Sequence, residues 1–149
     1  MISEFCVYTI LHSTKIEGII ESHEGRGSAI ERSSWASAER LIEKAKRSGA
    51  KLPLLLGAAE KEGGILFYAT LDAISIFRDP QGKSETRYEF SNLERLETEL
   101  PKEALIKISD NKPLSRRYIR PYSLCRTPKE IRSLMVAKRY RDQEQGEVN

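Results

Sequence analysis

Ser115-Arg116-Arg117-Tyr118-Ile119-Arg120-Pro121-Tyr122 holds the side chains best suited to chemistry in this sequence. If the run is extended, alternation puts Tyr118, Arg120 and Tyr122 on one face, a guanidinium between two rings. Arginine pairs with phosphate in a bidentate manner and stacks on planar groups, and a tyrosine ring offers a surface for a base. The run lies within a basic stretch. Residues 112–141 carry ten Lys and Arg against one acid, Glu130, whereas the segments before and after are each net −3, so a chain of net charge +3 conceals a local +9. So few local acids point to a polyanion partner, with nucleic acid the expected one. Taken singly, the tyrosines read as core residues.

Other candidates are sparser. Gly25-Arg26-Gly27 reads as a flexible loop, and its amides and Arg26 meet a phosphate only if they face the same side as the basic stretch. Trp35, the only tryptophan, follows Ser33 and Ser34 at a helix start, where hydroxyls and amides can meet a planar ligand. Anchoring that helix in the core is its expected role. His12 and His23 match no zinc spacing, and no metal or cofactor is expected. Cys6 and Cys125 are distant in sequence and apolar-flanked, which reads as two reduced buried thiols in a cytoplasmic protein. Neither Cys6 with His12 nor a serine with His23 has positive support as a nucleophile and base. Glu60, Glu62, Asp72 and Asp79 read as solvated carboxylates. No phosphate-binding glycine motif is present, which disfavours nucleotide hydrolysis.

The elements that must position these residues follow from pattern. Residues 4–11 form a strand, and Thr14-Lys15-Ile16-Glu17 reads as a capping box opening a short helix. Residues 24–28 form a loop. Ser33 or Ser34 caps a second helix with the stripe Trp35, Ala38, Leu41, Ile42 and Ala45, ended by Gly49. Strands at 52–59 and 65–77 form a hairpin about Glu62-Gly63-Gly64. In residues 84–90, Thr86, Tyr88 and Phe90 alternate with Glu85, Arg87 and Glu89, the pattern of a half-buried antiparallel strand that pairs with the strand before it. Residues 93–100 are ambiguous, and 104–109 read as a weak further strand. Thr127-Pro128-Lys129-Glu130 starts a last helix, with Thr127 as cap and Ile131, Leu134 and Met135 as its apolar face. Residues 142–149 read as a frayed polar tail. Length and composition suit one α+β domain over residues 1–149. No apolar run is long enough for a membrane helix, and Met1-Ile2-Ser3-Glu4 does not resemble a secretory signal.

The order of these segments is also familiar. A Trp-bearing helix rich in Ala, Glu and Lys leads into Lys51-Leu52-Pro53-Leu54-Leu55-Leu56-Gly57-Ala58-Ala59. Then come Gly64-Ile65-Leu66-Phe67-Tyr68-Ala69-Thr70-Leu71-Asp72-Ala73-Ile74, Tyr88-Glu89-Phe90-Ser91-Asn92-Leu93 and Tyr118-Ile119-Arg120-Pro121-Tyr122. The pattern resembles the PUA-like superfamily, which includes the EVE, ASCH, YTH and PUA domains. The resemblance implies a small, mixed, mainly antiparallel β-barrel flanked by helices that binds RNA or DNA, often with a base held between barrel and helix. It implies Ser33, Ser34, Trp35 and Tyr68 as pocket residues and Arg116, Arg117, Tyr118, Arg120, Tyr122 and Arg26 as contacts to nucleic acid. With one Trp, the chain departs from the aromatic cage of YTH-type readers. Some ASCH-type domains are similar to ribonucleases, which keeps a nuclease or nucleotide-processing enzyme as an alternative. A protein-interaction domain using the basic last helix is another.

Overall fold

The computed structural model describes residues 1–22, 25–59, 64–115 and 122–148, with backbone alone for 139–148. Its six strands and three helices run β1 (Phe5–Leu11), α1 (Ser13–Glu21), β2 (Gly27–Glu31), α2 (Ala36–Arg47), β3 (Leu52–Ala58), β4 (Ile65–Arg78), β5 (Ser84–Leu100), β6 (Tyr122–Arg126) and α3 (Lys129–Val148). They form one mixed sheet in the order β2-β5-β4-β3-β1-β6. Among the named strands of the described residues, β1 and β3 alone pair in parallel, Val7 opposite Leu54, and the crossover between them carries α1, β2 and α2.

The central strand explains the layering. All seven residues of β3 are buried, as a strand covered on both faces requires. Leu52, Leu54 and Leu56 join a cluster with Val7, Ile16 of α1 and Ala38, Ile42 and Ala45 of α2. Leu55 projects the opposite way, into a second cluster with Cys6, Tyr8, Tyr68, Leu105, Cys125 and Ile131 and Met135 of α3. Helices therefore cover both faces, α1 and α2 on the first and α3 on the second.

The sheet is open, with β2 and β6 at its edges, so the closed barrel expected from sequence is not observed. It is nevertheless strongly curled. Trp35 stacks on Tyr88 of β5 at 4.4 Å and packs against Tyr122 of β6 at 4.8 Å, although four strand spacings of a flat sheet span roughly 19 Å.

Several local expectations are corrected. The N-cap of α1 is His12, not Thr14, and its side chain makes no capping bond. Neither serine caps α2: the Thr86 hydroxyl donates to Ser33 O at 2.6 Å and accepts from Trp35 N at 3.0 Å, so a strand residue satisfies the turn. The glycine-rich stretch read as a loop runs into β2, an edge strand paired with residues 86–90 of β5. The ambiguous stretch at 93–100 continues β5, past Asn92 at φ 57° and a series of register shifts against β4. Residues 104–109 form only isolated bridges, Ile106 to Pro113 and Lys107 to Cys125. Thr127 ties the start of α3 to the front of the chain, its hydroxyl donating to Ser3 O at 2.9 Å. On α3, Ile131 and Met135 are buried but Leu134 is exposed, and the helix spans Lys129–Val148. No helix among the described residues is long and apolar enough to cross a membrane.

Candidate functional site

The residues nominated from sequence separate into two places and a remainder. Arg116, Arg117, Tyr118 and Arg120 lie outside the described residues, as do His23, Glu60 and Glu62. Tyr122, the last of the Arg-Tyr run, is half-buried on β6, its ring against Trp35.

Trp35 itself is fully buried. With Tyr88 on one side and Tyr122 on the other, its ring is packed by the protein's own aromatics, the core role expected from its position. A stacked base has no free face there. What remains is polar. Ser33 Oγ, Trp35 Nε1 and Tyr88 OH are all buried without a hydrogen-bond partner, three such atoms within one turn and its neighbouring strand. Buried polar groups are normally satisfied by protein, ordered water or ligand. Glu31, opposite Thr86 in the sheet, completes the neighbourhood. Burial raises its carboxyl above the ordinary carboxylate range. The Tyr88 hydroxyl is pushed up strongly, first by burial and then by the Glu31 charge. Ser34 is exposed.

Tyr68 is on the other face. It packs in the second cluster and lines a cleft with Lys51, Thr70, Asn92, Met135 and Lys138. The pocket implied for Ser33, Ser34, Trp35 and Tyr68 is thus divided by the sheet, because Tyr68 opposes Leu55 and shares its direction rather than that of Leu54 and Leu56. The cleft has a cavity volume of about 20 Å³, room for roughly one water and far below the ~300 Å³ of small-ligand pockets. It suits a point contact with an anion rather than enclosure of a base.

The cleft adjoins α3, whose twenty residues carry five Lys and Arg against four acids. Lys138 contributes to its wall and is held by Glu94 at 2.7 Å; Lys51 stands exposed on another side. One helical turn and more before Lys138, Lys129 and Arg132 are exposed and make no ion pair among the described residues. Arg126 is partly committed, 4.0 Å from Glu4 and donating to Asn111 at 3.3 Å. Arg26 is exposed, and the adjacent Gly25 packs its backbone against Asn92 and Leu93. That juxtaposition brings the glycine loop to the rim of the cleft.

Sequence reasoning passed over Glu31, Thr86, Tyr88, Lys51 and Asn92. The inward alternation of Thr86 and Tyr88 was a usable signal; nothing local marks the other three. The Cys6 and His12 pairing has no geometry: Cys6 is buried near the start of β1, its thiol well above the ordinary range through burial, while His12 lies past the far end of that strand as the N-cap of α1. Asp72 and Asp79 are exposed, as expected. Among the described residues no group of three or more His, Cys, Asp or Glu side chains comes together as metal ligands.

Comparison with protein-family models and with curated proteins finds no match for the chain. The fold and site define it as an α+β protein whose open, curled sheet carries helices on both faces.

Proposed function

We propose that this protein is a nucleic-acid-binding module that grips the sugar–phosphate backbone along α3 and the adjoining cleft. The supporting observation is the cleft wall: Lys51 and Lys138 line a cleft that α3 itself helps to form, and the same helix carries the exposed cations Lys129 and Arg132. Phosphate contacts supply affinity without sequence information, which fits a cleft too small for a base. Arg116, Arg117, Tyr118 and Arg120, which lie outside the described residues, are further candidate contacts from sequence. In this reading the curled sheet is an incomplete form of the small barrel that the PUA-like resemblance implies.

A narrower version adds a base near Trp35. It is favoured by the unpartnered Ser33 Oγ, Trp35 Nε1 and Tyr88 OH, which the polar edge of a base would satisfy without stacking.

Binding of labelled RNA and DNA oligonucleotides across a salt series tests the proposal. Affinity is expected to fall log-linearly with salt, and Lys51→Ala or Arg132→Ala to lower the slope by about 0.9 for each phosphate that is no longer neutralised. No detectable binding at low salt to either polymer would end it. Emission from the single tryptophan separates the two versions: a base at Ser33 and Trp35 changes it on binding, and backbone contact at the cleft alone leaves it unmoved.

A further inference from the structure

Cys6 and Cys125, near opposite ends of the sequence, are direct partners across the antiparallel pair of β1 and β6. Both are free thiols and both are fully buried. Opposed residues in an antiparallel pair have Cα atoms about 4.5 or 5.5 Å apart, according to the type of pair. Either separation falls within the roughly 4.4–6.8 Å that disulfides span. Opposed side chains also project from the same face, and both cysteines lie in the second-face cluster with Tyr8, Leu105 and Ile131. The sulfur distances are long, Cys6 Sγ to Arg126 O and Cys125 Sγ to Ser123 Oγ each at 3.7 Å, and the Cys6 thiol also meets the Thr127 side chain.

We propose that Cys6 and Cys125 are an oxidisable dithiol that closes into a β1–β6 disulfide when a small-molecule disulfide such as oxidised glutathione reaches it. One cysteine, as thiolate, attacks a sulfur of the oxidant and expels one glutathione thiolate. The second cysteine then attacks the mixed disulfide and expels the other. One S–S bond breaks, one forms, two electrons pass to the oxidant, and the two cysteine protons leave on the released thiols.

Burial controls the rate. It holds the Cys6 thiol well above its ordinary range, and the Cys125 thiol is pushed up to about 11, so little thiolate is present until β6 opens locally. β6 is short and runs directly into α3, with Thr127 between them bonded to Ser3 and Glu4. The disulfide would fasten the strand from which α3 departs to the strand that begins the fold. Its formation does not depend on nucleic-acid binding.

The test is incubation of the full chain with oxidised glutathione in urea below the unfolding transition, followed by intact-mass measurement and thiol titration after the urea is removed. Expected is a species lighter by two hydrogens with no glutathione attached and no free thiol. Its urea midpoint should lie above that of the reduced protein and return on reduction. Cys6→Ser and Cys125→Ser should each stop at a single glutathione adduct. Stable glutathione adducts on the unsubstituted chain, thiols that stay reduced even after refolding with oxidant present, or a closed form with a lower midpoint than the reduced one would each overturn the proposal.

Discussion

Replacing Thr86 by valine keeps the shape of a side chain with no exposed surface but removes the hydroxyl that joins β5 to the start of α2. Two hydrogen bonds disappear together: donation to Ser33 O at 2.6 Å and acceptance from Trp35 N at 3.0 Å. The Trp35 amide is left buried without a partner, at a cost of about 1–3 kcal/mol, and the Ser33 carbonyl adds roughly 1 kcal/mol. The expected destabilisation is therefore about 2–4 kcal/mol. With a urea m-value of about 2 kcal/mol/M, the midpoint should fall by about 1–2 M with m unchanged. Thr86→Ser keeps the hydroxyl and removes only a methyl group, so it should cost about 1 kcal/mol. Urea unfolding followed by tryptophan emission and by circular dichroism measures both variants. A valine variant within about 0.5 kcal/mol of the unsubstituted protein, or a serine variant as damaging as valine, would refute the idea that this hydroxyl holds the turn.

Two glycines predict opposite signs. A Cβ on Gly64 would collide with Leu100 O and Leu100 C and crowd Pro101 Cα, backbone that cannot swing aside, so Gly64→Ala should destabilise by about 1–3 kcal/mol; Gly18, within α1 and with nothing inside 4 Å, should gain roughly 0.5–1 kcal/mol on the same change. Thermal or urea unfolding of the pair checks both. Stability should also fall on the alkaline side: Cys6, Cys125 and Tyr88 are all raised by burial in the folded state. Unfolded thiols release their protons from about pH 8.5 and unfolded tyrosine from about pH 10, so the stability these groups contribute is complete below those values and declines above them, as the unfolded state sheds protons first. Unfolding of the Cys6→Ser, Cys125→Ser double variant from pH 8 to 10 should show a flatter decline; an identical profile would refute the thiol contribution.

Where one residue's neighbours decide the structure, the sequence was readable. In residues 84–90 of β5, Thr86, Tyr88 and Phe90 are buried and Glu85, Arg87 and Glu89 exposed, because a two-residue period is all such a strand requires. β3 was legible as apolar and its cover on both faces follows from that same run. β2 escaped notice because it is five residues long, starts with a glycine and buries only Ala29. The second half of β5 was ambiguous for a different reason: Leu93, Leu96 and Leu100 break the two-residue period, where the strand passes Asn92 in the left-handed region and shifts register against β4. The α2 start went wrong because the better partner for the turn lies 51 positions away in β5, beyond any local motif. The meeting of Cys6 with Cys125 is likewise a matter of register between the first and last strands.

The division of the nominated pocket by the sheet changes what a nucleic-acid ligand would have to do. Tyr68 and the Lys51–Lys138 cleft share a face with α3, whereas Trp35 and its unpartnered neighbours sit with α1 and α2. A ligand held only at the cleft has no reason to disturb Trp35. A ligand that reaches both must round an edge of the sheet, and on the β2 edge the chain leads from Gly25, whose backbone meets Asn92 of the cleft, through Arg26 and along β2 to Ser33. For such a ligand, Arg26 would lie on the path between the sites rather than in either one. Its contribution to affinity should therefore be coupled to the Trp35 response, while those of Lys51 and Arg132 should be independent of it, since groups that share no partner add separately.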